Sequence, residues 1–594
     1  MHAQGRRRWL DTIPSMIVAV TIIAMGVSCA TAPPTPEAPD APTEEATRAP
    51  LEPIDPEWAA ELQERWAATK RVHFAGSAEQ RSPWTLNEEE LASAQEAAIF
   101  TDRDPMRVVH QSRFNQPVFF AEGRLTDAGE QARALVQDAW THGVAKPANW
   151  PDGLGELLAR HHALHEEVEA VIARPLSDSD LRRQPRDAEG LDLQRIAGRS
   201  LTELEQLAQL RDTLRANIAR MDGVMLSGVW QLARATREML VQTRWNREQL
   251  EFPQELYTAP EQALHLVAPH HEDYDRLREA YARFSRIARR GGGWETLPIS
   301  LRYGAEPGRE HKGLIAVRER LAAEGFVPDE EPENPQLYDD GLKALVDAFQ
   351  YTRGIKRTGE LDVETRIAMN IPVETLVERL ELGLIRWHRS RSRTESRYVR
   401  VNVARNEVQL MRDGQVEERI RAVVGRPSKT TPRFSGHITH MVAYPWWFGT
   451  MDDPKRVAPG RANPLGLLAL KIEPLHYLIY LHGTNAPKLL DYDYRFFSAG
   501  CIRMRDPTVL GSIILEEDPG PEDAAALKEI MARKKTHTIW LKEPVPVFLE
   551  YNTTFIHHES GHAHFMRDYY VNDRKMFKLL QGRPLALDTW PEAI

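Results

Sequence analysis

Apolar side chains recur every three or four residues along most of the first half of the chain. This spacing predicts helices at Leu125–Ala139, Glu156–Ala173 and Ser200–Arg220, with few β-rich runs between them. No group of residues in this stretch suggests catalysis. We therefore interpret residues 57–312 as a helical scaffold domain.

A second, shorter helical pattern follows the scaffold. Leu342, Val346 and Phe349 fall on one face of a predicted helix. Gly359 then marks a turn, and a further short helix is predicted at Val363–Met369. A longer helical stretch connects this small unit to the rest of the chain.

The hydrophobic period changes to alternation after about residue 395. Val399 and Val401 lie in a predicted strand, and Asp413-Gly414 is a hairpin signal. Further strands are predicted at residues 420–424, 438–444, 477–481 and 539–549. The fold class predicted from these patterns is multidomain α+β, with a helical first part and a β-rich last third.

The first 29 residues are typical of an export signal, because a basic start, Arg6-Arg7-Arg8, precedes a short apolar run. Gly26-Val27-Ser28-Cys29 resembles a lipobox, in which Cys29 becomes the lipidated first residue. The alternative is an uncleaved N-terminal membrane anchor. Residues 30–56 are rich in Pro, Ala, Thr and Glu, which predicts a disordered tether. We expect an exported protein held to a membrane at the periplasmic face.

The formal net charge of -10 argues against a nucleic-acid partner, which normally requires a basic face. The chain has only two cysteines, Cys29 and Cys501. A disulfide between them is not expected, because Cys29 lies beside the export signal. Cys501 therefore needs an explanation of its own.

Cys501 lies in a pattern that suggests nucleophilic catalysis. Fifteen residues separate His482 from the run Ser498-Ala499-Gly500-Cys501-Ile502-Arg503. A neighbouring imidazole can take the proton of a thiol and produce the reactive thiolate–imidazolium pair. Alone, a cysteine or a histidine is more often a buried core residue. Both residues in this order, in an exported chain, favour catalysis.

Glycines flank both of these residues. Gly483 follows His482 and allows another backbone segment to approach closely. Gly500 permits a tight turn before Cys501, and the amides of Gly500 and Cys501 are candidate oxyanion-hole donors. Arg503 is a candidate for binding a substrate carboxylate.

A competing motif is His558-Glu559-Ser560-Gly561-His562, which fits the zinc-protease pattern. That pattern binds zinc only on a helix, whereas the preceding residues, Val545–Tyr551, read as a strand. We interpret Glu559-Ser560-Gly561 as a hairpin turn and Phe565–Tyr570 as the return strand. No metal and no cofactor is predicted.

The ordered motif from His482 to Arg503 resembles that of the L,D-transpeptidase family, as does Asn463-Pro464-Leu465-Gly466 upstream. The residues from Gly313 to Ile371 resemble the small three-helix peptidoglycan-binding domain. The positions that carry this second resemblance are Ala344, Phe349, Gln350, Gly354, Gly359, Thr365, Met369 and Asn370.

The resemblance implies a two-step acyl transfer on peptidoglycan tetrapeptide stems, as both donor and acceptor. Cys501 would attack the carbonyl of diaminopimelate at position three, release D-Ala and pass the acyl group to an amine, which gives a 3→3 cross-link. Transfer to water would make a carboxypeptidase, and transfer to a protein lysine an anchoring enzyme. A non-catalytic peptidoglycan-binding lipoprotein is the remaining alternative. Carbapenems are implied inhibitors.

The resemblance also implies roles for individual residues. The backbone carbonyl of Gly483 would orient His482, and Ser498 would contribute to substrate binding. Trp446 and Trp447 could form an aromatic wall of the substrate cleft or belong to the core. In larger relatives of the family a lid is inserted at the position of residues 449–462. Here the lid is nearly absent, so we expect the substrate cleft to be more open than in those relatives. The predicted divisions of the chain are 1–29 signal peptide and lipobox, 30–56 tether, 57–312 helical scaffold domain, 313–372 peptidoglycan-binding domain, 373–395 connecting helix, 396–575 catalytic domain and 576–594 C-terminal tail.

Overall fold

The computed structural model describes most of the chain after the predicted tether. The described residues are 54–75, 84–92, 116–147, 150–182, 199–242, 255–264, 267–269, 271–290, 294–298, 301, 305–389, 395–449, 455–474, 478–518, 520–557 and 560–580. The predicted signal, Cys29 and nearly all of the tether lie outside them.

The first part of the chain is helical, as predicted. The predicted helix that starts at Ser200 extends to Gln242, because apolar residues such as Val224 and Leu226 continue its buried face. A small hairpin of β1 (Phe120–Ala121) and β2 (Arg124–Leu125) precedes the second helix. The helices are α1 (Pro56–Ala75), α2 (Asp127–Gln137), α3 (Leu154–Ala173), α4 (Asp178–Leu181), α5 (Arg199–Gln242), α6 (Glu255–Thr258), α7 (Pro260–Ala263) and α8 (Glu272–Arg289).

A three-helix unit follows, formed by α9 (Leu314–Ala323), α10 (Asp340–Arg353) and α11 (Val363–Met369). Buried Gln350 joins its parts, because its amide nitrogen donates to Thr365 Oγ1 at 2.8 Å and its amide oxygen accepts from the Gly359 amide at 2.9 Å. The residues of the predicted signature therefore hold this unit together. Its core also includes Leu297 and Leu301, upstream of the predicted start at residue 313.

Helix α12 (Val373–Arg389) does more than connect two domains. Its apolar face, including Leu376, Leu380 and Leu384, belongs to the same buried core as the scaffold helices. That core also contains Phe565 of the C-terminal hairpin. The scaffold helices and the C-terminal hairpin thus share one core.

The β-rich part is a sheet that closes on itself. Its strand order is β10-β8-β7-β6-β11-β3-β4-β5-β9, and β10 also pairs with β5. The strands are β3 (Arg397–Asn402), β4 (Glu407–Arg412), β5 (Gln415–Gly425), β6 (Phe434–Ala443), β7 (Leu468–Glu473), β8 (Tyr480–His482), β9 (Phe496–Ser498), β10 (Ile502–Met504) and β11 (His537–Glu550).

Most of the predicted strands are confirmed, including the turn at Asp413-Gly414, where both residues have positive φ. The predicted strand 477–481 is displaced, because Leu478 has a φ of 50° and the strand begins at Tyr480. Two helices, α13 (Pro507–Glu517) and α14 (Ala524–Ala532), pack on the buried face of the sheet, where Gly511 approaches Leu468.

The C-terminal hairpin differs from its prediction. Strand β11 does not take part in it; β12 (Thr554–Ile556) pairs instead with β13 (Ala563–Phe565). The predicted return strand is wrong beyond Phe565, because Asp568 turns the chain by accepting from the amides of Asn572 and Asp573 at 2.9 and 2.8 Å. His558 and Glu559, at the predicted turn, lie outside the described residues.

Two predicted boundaries fall inside helices. Residue 56 is the first residue of α1, and the boundary after residue 575 cuts α15 (Asn572–Leu579). Met576 of α15 is buried against Leu382 and Ile385 of α12, so the folded part continues past residue 575. Among the helices that the structure describes, none has the length and apolar character needed to cross a membrane.

Candidate active site

His482 is the last residue of β8, between two neighbouring strands. It pairs with Ala469 of β7 on one side and with Arg503 of β10 on the other. Its ring is buried, and Nδ1 lies 2.6 Å from the carbonyl oxygen of Gly483. A carbonyl can only accept, so Nδ1 carries the proton and Nε2 is left as the basic nitrogen. The Gly483 carbonyl thus fixes the orientation of the imidazole ring, and its role in catalysis stays a prediction.

Gly483 is held in place by a second glycine. Gly466 has a φ of 67°, and a side chain there would place its Cβ 2.6 Å from the Cα of Gly483. The Gly483 amide donates to Leu468 O at 3.0 Å. The close backbone approach predicted at Gly483 is therefore made by Gly466.

Cys501 lies in the tight loop between β9 and β10, next to β8. Gly500 has a φ of 126°, a conformation that favours glycine, as its predicted role requires. The Cys501 thiol is half-buried and donates to the carbonyl of Leu478, with Sγ 3.6 Å from the oxygen. Leu478 itself has a left-handed backbone, which aims its carbonyl at the sulfur.

Thr431 holds in place the loop between β9 and β10 that carries Cys501, here called the nucleophile loop. Its side chain is buried, donates to Gly500 O at 2.7 Å and accepts from the Gly425 amide at 2.9 Å. Tyr570 adds a further link, because its hydroxyl donates to Gly425 O at 2.5 Å and accepts from the Thr431 amide at 3.2 Å. The C-terminal segment therefore helps to position the loop that carries Cys501.

Ser498 is also part of this loop's support. It is fully buried, and its hydroxyl donates to Cys501 O at 2.6 Å and accepts from the Gly500 amide at 3.1 Å. Ser498 therefore supports the loop, and the Gly500 amide donates to Ser498. A substrate contact of Ser498 and an oxyanion contact of the Gly500 amide stay predictions. The role of the Cys501 amide stays a prediction.

Burial keeps both reacting groups neutral. It lowers the pKa of His482 to about 3, and the Arg503 guanidinium acts in the same direction, while the carbonyl of Gly483 opposes both. Burial raises the pKa of the Cys501 thiol, against the lowering effect of the Tyr480 backbone. Both shifts favour a neutral thiol and a neutral imidazole over the thiolate–imidazolium pair, whose formation stays a prediction.

Two cations flank Cys501. Arg503 was predicted, and its Nε is buried without a hydrogen-bond partner among the described residues. Lys471 of β7 was not predicted; burial lowers its pKa and Cys501 raises it. Lys471 is the polar residue in the apolar strand Leu468–Ile472, and that exception in the pattern could have identified it.

Trp446 and Trp447 follow β6 and differ in their exposure and in their contacts. Trp446 is exposed and stacks on the Arg456 guanidinium, 4.3 Å from its ring centroid. Trp447 is half-buried and exchanges two backbone hydrogen bonds with Val457, at 3.1 and 2.8 Å. Asn463 braces this loop, because its amide donates to Pro445 O at 2.9 Å. Contact of either tryptophan with a substrate stays a prediction, as does the open cleft, since residues 450–454 are not described.

The histidines near the zinc-protease pattern serve other contacts. His562 stacks on Phe326 at 4.1 Å, and His564 accepts from Arg405 through Nδ1 at 3.1 Å. His557 lies 3.4 Å from the Tyr351 hydroxyl. Across the described residues, no group of three or more His, Cys, Asp or Glu side chains is arranged to hold a metal ion.

Comparisons with known proteins show which family this part of the chain is similar to. Residues 396–547 match the sequence model of the YkuD L,D-transpeptidase catalytic domain. A curated relative, a putative L,D-transpeptidase of Haemophilus influenzae, is 25% identical over 222 residues. That match covers 30% of this chain and 44% of the relative, so this chain spans less than half of that protein's length.

Solved L,D-transpeptidase structures show more distant similarity. One from Xylanimonas cellulosilytica is 16% identical, covers 41% of this chain and 96% of its own, and has a TM-score of 0.17. One from Mycobacterium smegmatis is 15% identical, covers 26% and 58% of the two chains, and has a TM-score of 0.16. The sequence match alone assigns residues 396–547, which include His482 and Cys501, to the L,D-transpeptidase catalytic domain.

Proposed function

We propose that this protein is a cysteine L,D-transpeptidase that forms 3→3 cross-links between peptidoglycan stems. The observation that carries the proposal is the contact between His482 Nδ1 and Gly483 O, at 2.6 Å. It leaves Nε2 unprotonated at the end of a strand that pairs with the strand following Cys501. A base held in one tautomer beside a thiol is suited to acyl transfer.

Acylation begins from the neutral thiol. Its proton turns from the Leu478 carbonyl to His482 Nε2 as Sγ attacks the carbonyl carbon of residue three of the donor stem. The S–C bond forms, the C–N bond to D-Ala breaks, and the amine leaves with the proton from His482. Because neither group is charged at rest, proton transfer accompanies attack. A thioacyl-enzyme remains on Cys501.

Transfer reverses these roles. The side-chain amine of diaminopimelate on a second stem attacks the thioester carbon and gives its proton to His482. The C–S bond breaks, and the proton returns to the sulfur. Water or a protein lysine as acceptor would give the carboxypeptidase or the anchoring reaction. Carbapenems should acylate the same thiol, because their strained carbonyl is also an acyl donor.

Intact-mass spectrometry and product analysis test this proposal. With tetrapeptide donor, the wild type should gain one acyl adduct, and with acceptor stems it should release the 3→3 dimer. Cys501→Ala should abolish the adduct. His482→Gln should slow it by about 10²-fold or more, whereas His437→Gln, at an exposed site on the same sheet, should not. An adduct on Cys501→Ala would refute the assignment of Cys501 as the nucleophile. If water were the only acceptor, the reaction would be carboxypeptidation and not transpeptidation.

We also propose that the protein is anchored through a lipid on Cys29 and that the α9–α11 unit binds peptidoglycan. The lipobox-like run before Cys29 supports the first proposal, and the signature positions around Gln350 support the second. Fatty-acid labelling that persists in Cys29→Ala would contradict the anchor. Failure of the protein to sediment with insoluble peptidoglycan would contradict the binding role.

A further inference from the structure

One outward row of side chains leads away from Cys501 across four strands. Tyr480 of β8 pairs with Lys471 of β7, Lys471 with His440 of β6, and His440 with Trp540 of β11. Directly paired residues point to the same face of a sheet. We call these four residues the side-chain row. Its first member, Tyr480, lies beside Cys501.

The side-chain row lies on the accessible face of the sheet. The residues next to it along each strand, Ile539, Met441, Leu470 and Leu481, are fully buried on the opposite face. Trp540 is 64% exposed and packs against His440 in a tilted arrangement, with the ring centroids 4.3 Å apart. Neighbouring strands are about 4.8 Å apart, so the row spans roughly 14 Å. That length suits a short extended peptide.

Lys471 is the cation within this row. Its Nζ lies 3.4 Å from the centroid of the Tyr480 ring, which holds the ammonium near Cys501. Glu473 lies two residues further along β7, yet among the described residues no carboxylate forms an ion pair with Lys471. A half-buried cation without a counter-charge is unfavourable by itself. An incoming carboxylate would remove that cost.

Lys471 and Arg503 lie on opposite sides of β8. Arg503 pairs with His482, which gives its proton to the leaving amine, so the leaving residue and its carboxylate belong on that side. Lys471 pairs with Tyr480 on the other side, where the acyl part of the donor must lie. The side chain of residue three begins at the carbon next to the attacked carbonyl, so it can reach this side.

We propose that Lys471 binds the side-chain carboxylate of residue three of the donor stem and so selects diaminopimelate over lysine at that position. This inference rests on the proposed function of Cys501. Diaminopimelate and lysine stems carry the same side-chain amine, and only diaminopimelate has a carboxylate beside it. The two stems are therefore a matched pair of donors for testing Lys471.

The experiment measures kcat/KM for acylation of Cys501 with the two donors. The wild type should prefer the diaminopimelate donor by roughly ten- to hundredfold, as for one hydrogen bond between charged groups. Lys471→Gln also removes a cation near Cys501, which affects both donors alike, but it should slow the diaminopimelate donor more strongly and bring the ratio close to one. Lys471→Arg should retain most of the preference. Lys528→Gln, which removes an exposed cation on α14, should keep the wild-type ratio.

The outcomes are distinguishable. A wild type without preference, or a Lys471→Gln variant that keeps the ratio, would overturn the inference while leaving the function of Cys501 intact. Equal slowing of both donors by Lys471→Gln would also overturn it, because it would place Lys471 at a carboxylate common to both stems or at the reacting groups. If neither donor acylates the wild type, the proposed function itself fails.

Discussion

At the scale of single residues, the site depends on two neutral groups surrounded by positive charge. Burial alone would leave His482 a weak base, and Arg503 and Lys471 both lower its pKa further. The same two cations lower the pKa of the Cys501 thiol, against its burial. Charge at this site thus favours the thiolate that forms during attack, even though it disfavours a protonated histidine.

The first prediction concerns the pH dependence of acylation. His482 stops acting as a base when it is protonated, and its pKa of about 3 lies below the ordinary value of roughly 6.5. We expect kcat/KM for acylation of Cys501 to stay flat from about pH 8 down to about pH 5. Arg503→Gln should move the acid limb to higher pH, because it removes a cation that lowers this pKa. A wild-type inflection near pH 6.5 would contradict the prediction.

At the scale of elements, the ends of strands and the loops beside them position the chemistry. β8 supplies His482, the loop before β10 supplies Cys501, and the backbone at Gly466 lies in close contact with Gly483. Thr431 and Tyr570 then fix the nucleophile loop from two other parts of the chain. Each of these contacts joins segments that are far apart in sequence.

The second prediction tests the contact between the two glycines. In Gly466→Ala the new Cβ would lie 2.6 Å from Gly483 Cα, so Gly483 must move, and its carbonyl would no longer orient His482. We expect kcat/KM for acylation to fall by about 10²-fold, as for a misplaced catalytic group. Gly460→Ala is the control, since Gly460 also has a positive φ but no neighbour within 4 Å of the added Cβ. Equal loss in both variants would show that backbone strain, not the close approach, is responsible.

At the scale of the whole molecule, buried charges join the helical and β-rich parts. Glu324 lies between Arg320 and Arg353 in the three-helix unit, and all three side chains are buried. Arg320 stacks on Trp294, 3.4 Å from its ring centroid, and Arg353 lies 4.9 Å from the ring of Phe565 in β13. This cluster therefore connects the three-helix unit to the C-terminal hairpin.

The third prediction concerns this cluster. Glu324→Gln would leave two buried guanidinium groups facing each other without a counter-charge, and should lower the free energy of unfolding by about 3–5 kcal/mol. Urea unfolding followed by circular dichroism measures this. Glu319→Gln, on the exposed side of α9, should change stability by less than about 0.5 kcal/mol. Similar stability of Glu324→Gln and Glu319→Gln would show that the cluster contributes little.

Local patterns predicted much of this protein, because periodicity and turn residues act over a few positions. They predicted the scaffold helices, the helices of the three-helix unit, most of the strands and the turn at Asp413-Gly414. They missed β7, β9 and β10 as strands. β9 and β10 have only three residues each, which is too short for a periodic pattern, whereas β7 is as long as the predicted strands β3 and β4. The displaced strand before His482 was missed because Leu478 adopts a backbone that a leucine rarely takes.

The sequence by itself determined the candidate catalytic residues, because the spacing from His482 to Cys501 and the glycines beside them are local features. Only the tertiary structure decided how those residues act. Closure of the sheet through β10 placed Arg503 beside His482, and pairing of β7 with β8 placed Lys471 beside Tyr480. Burial, which no single segment determines, lowers the pKa of His482 and raises that of the Cys501 thiol, and it places Ser498 where its hydroxyl supports the nucleophile loop.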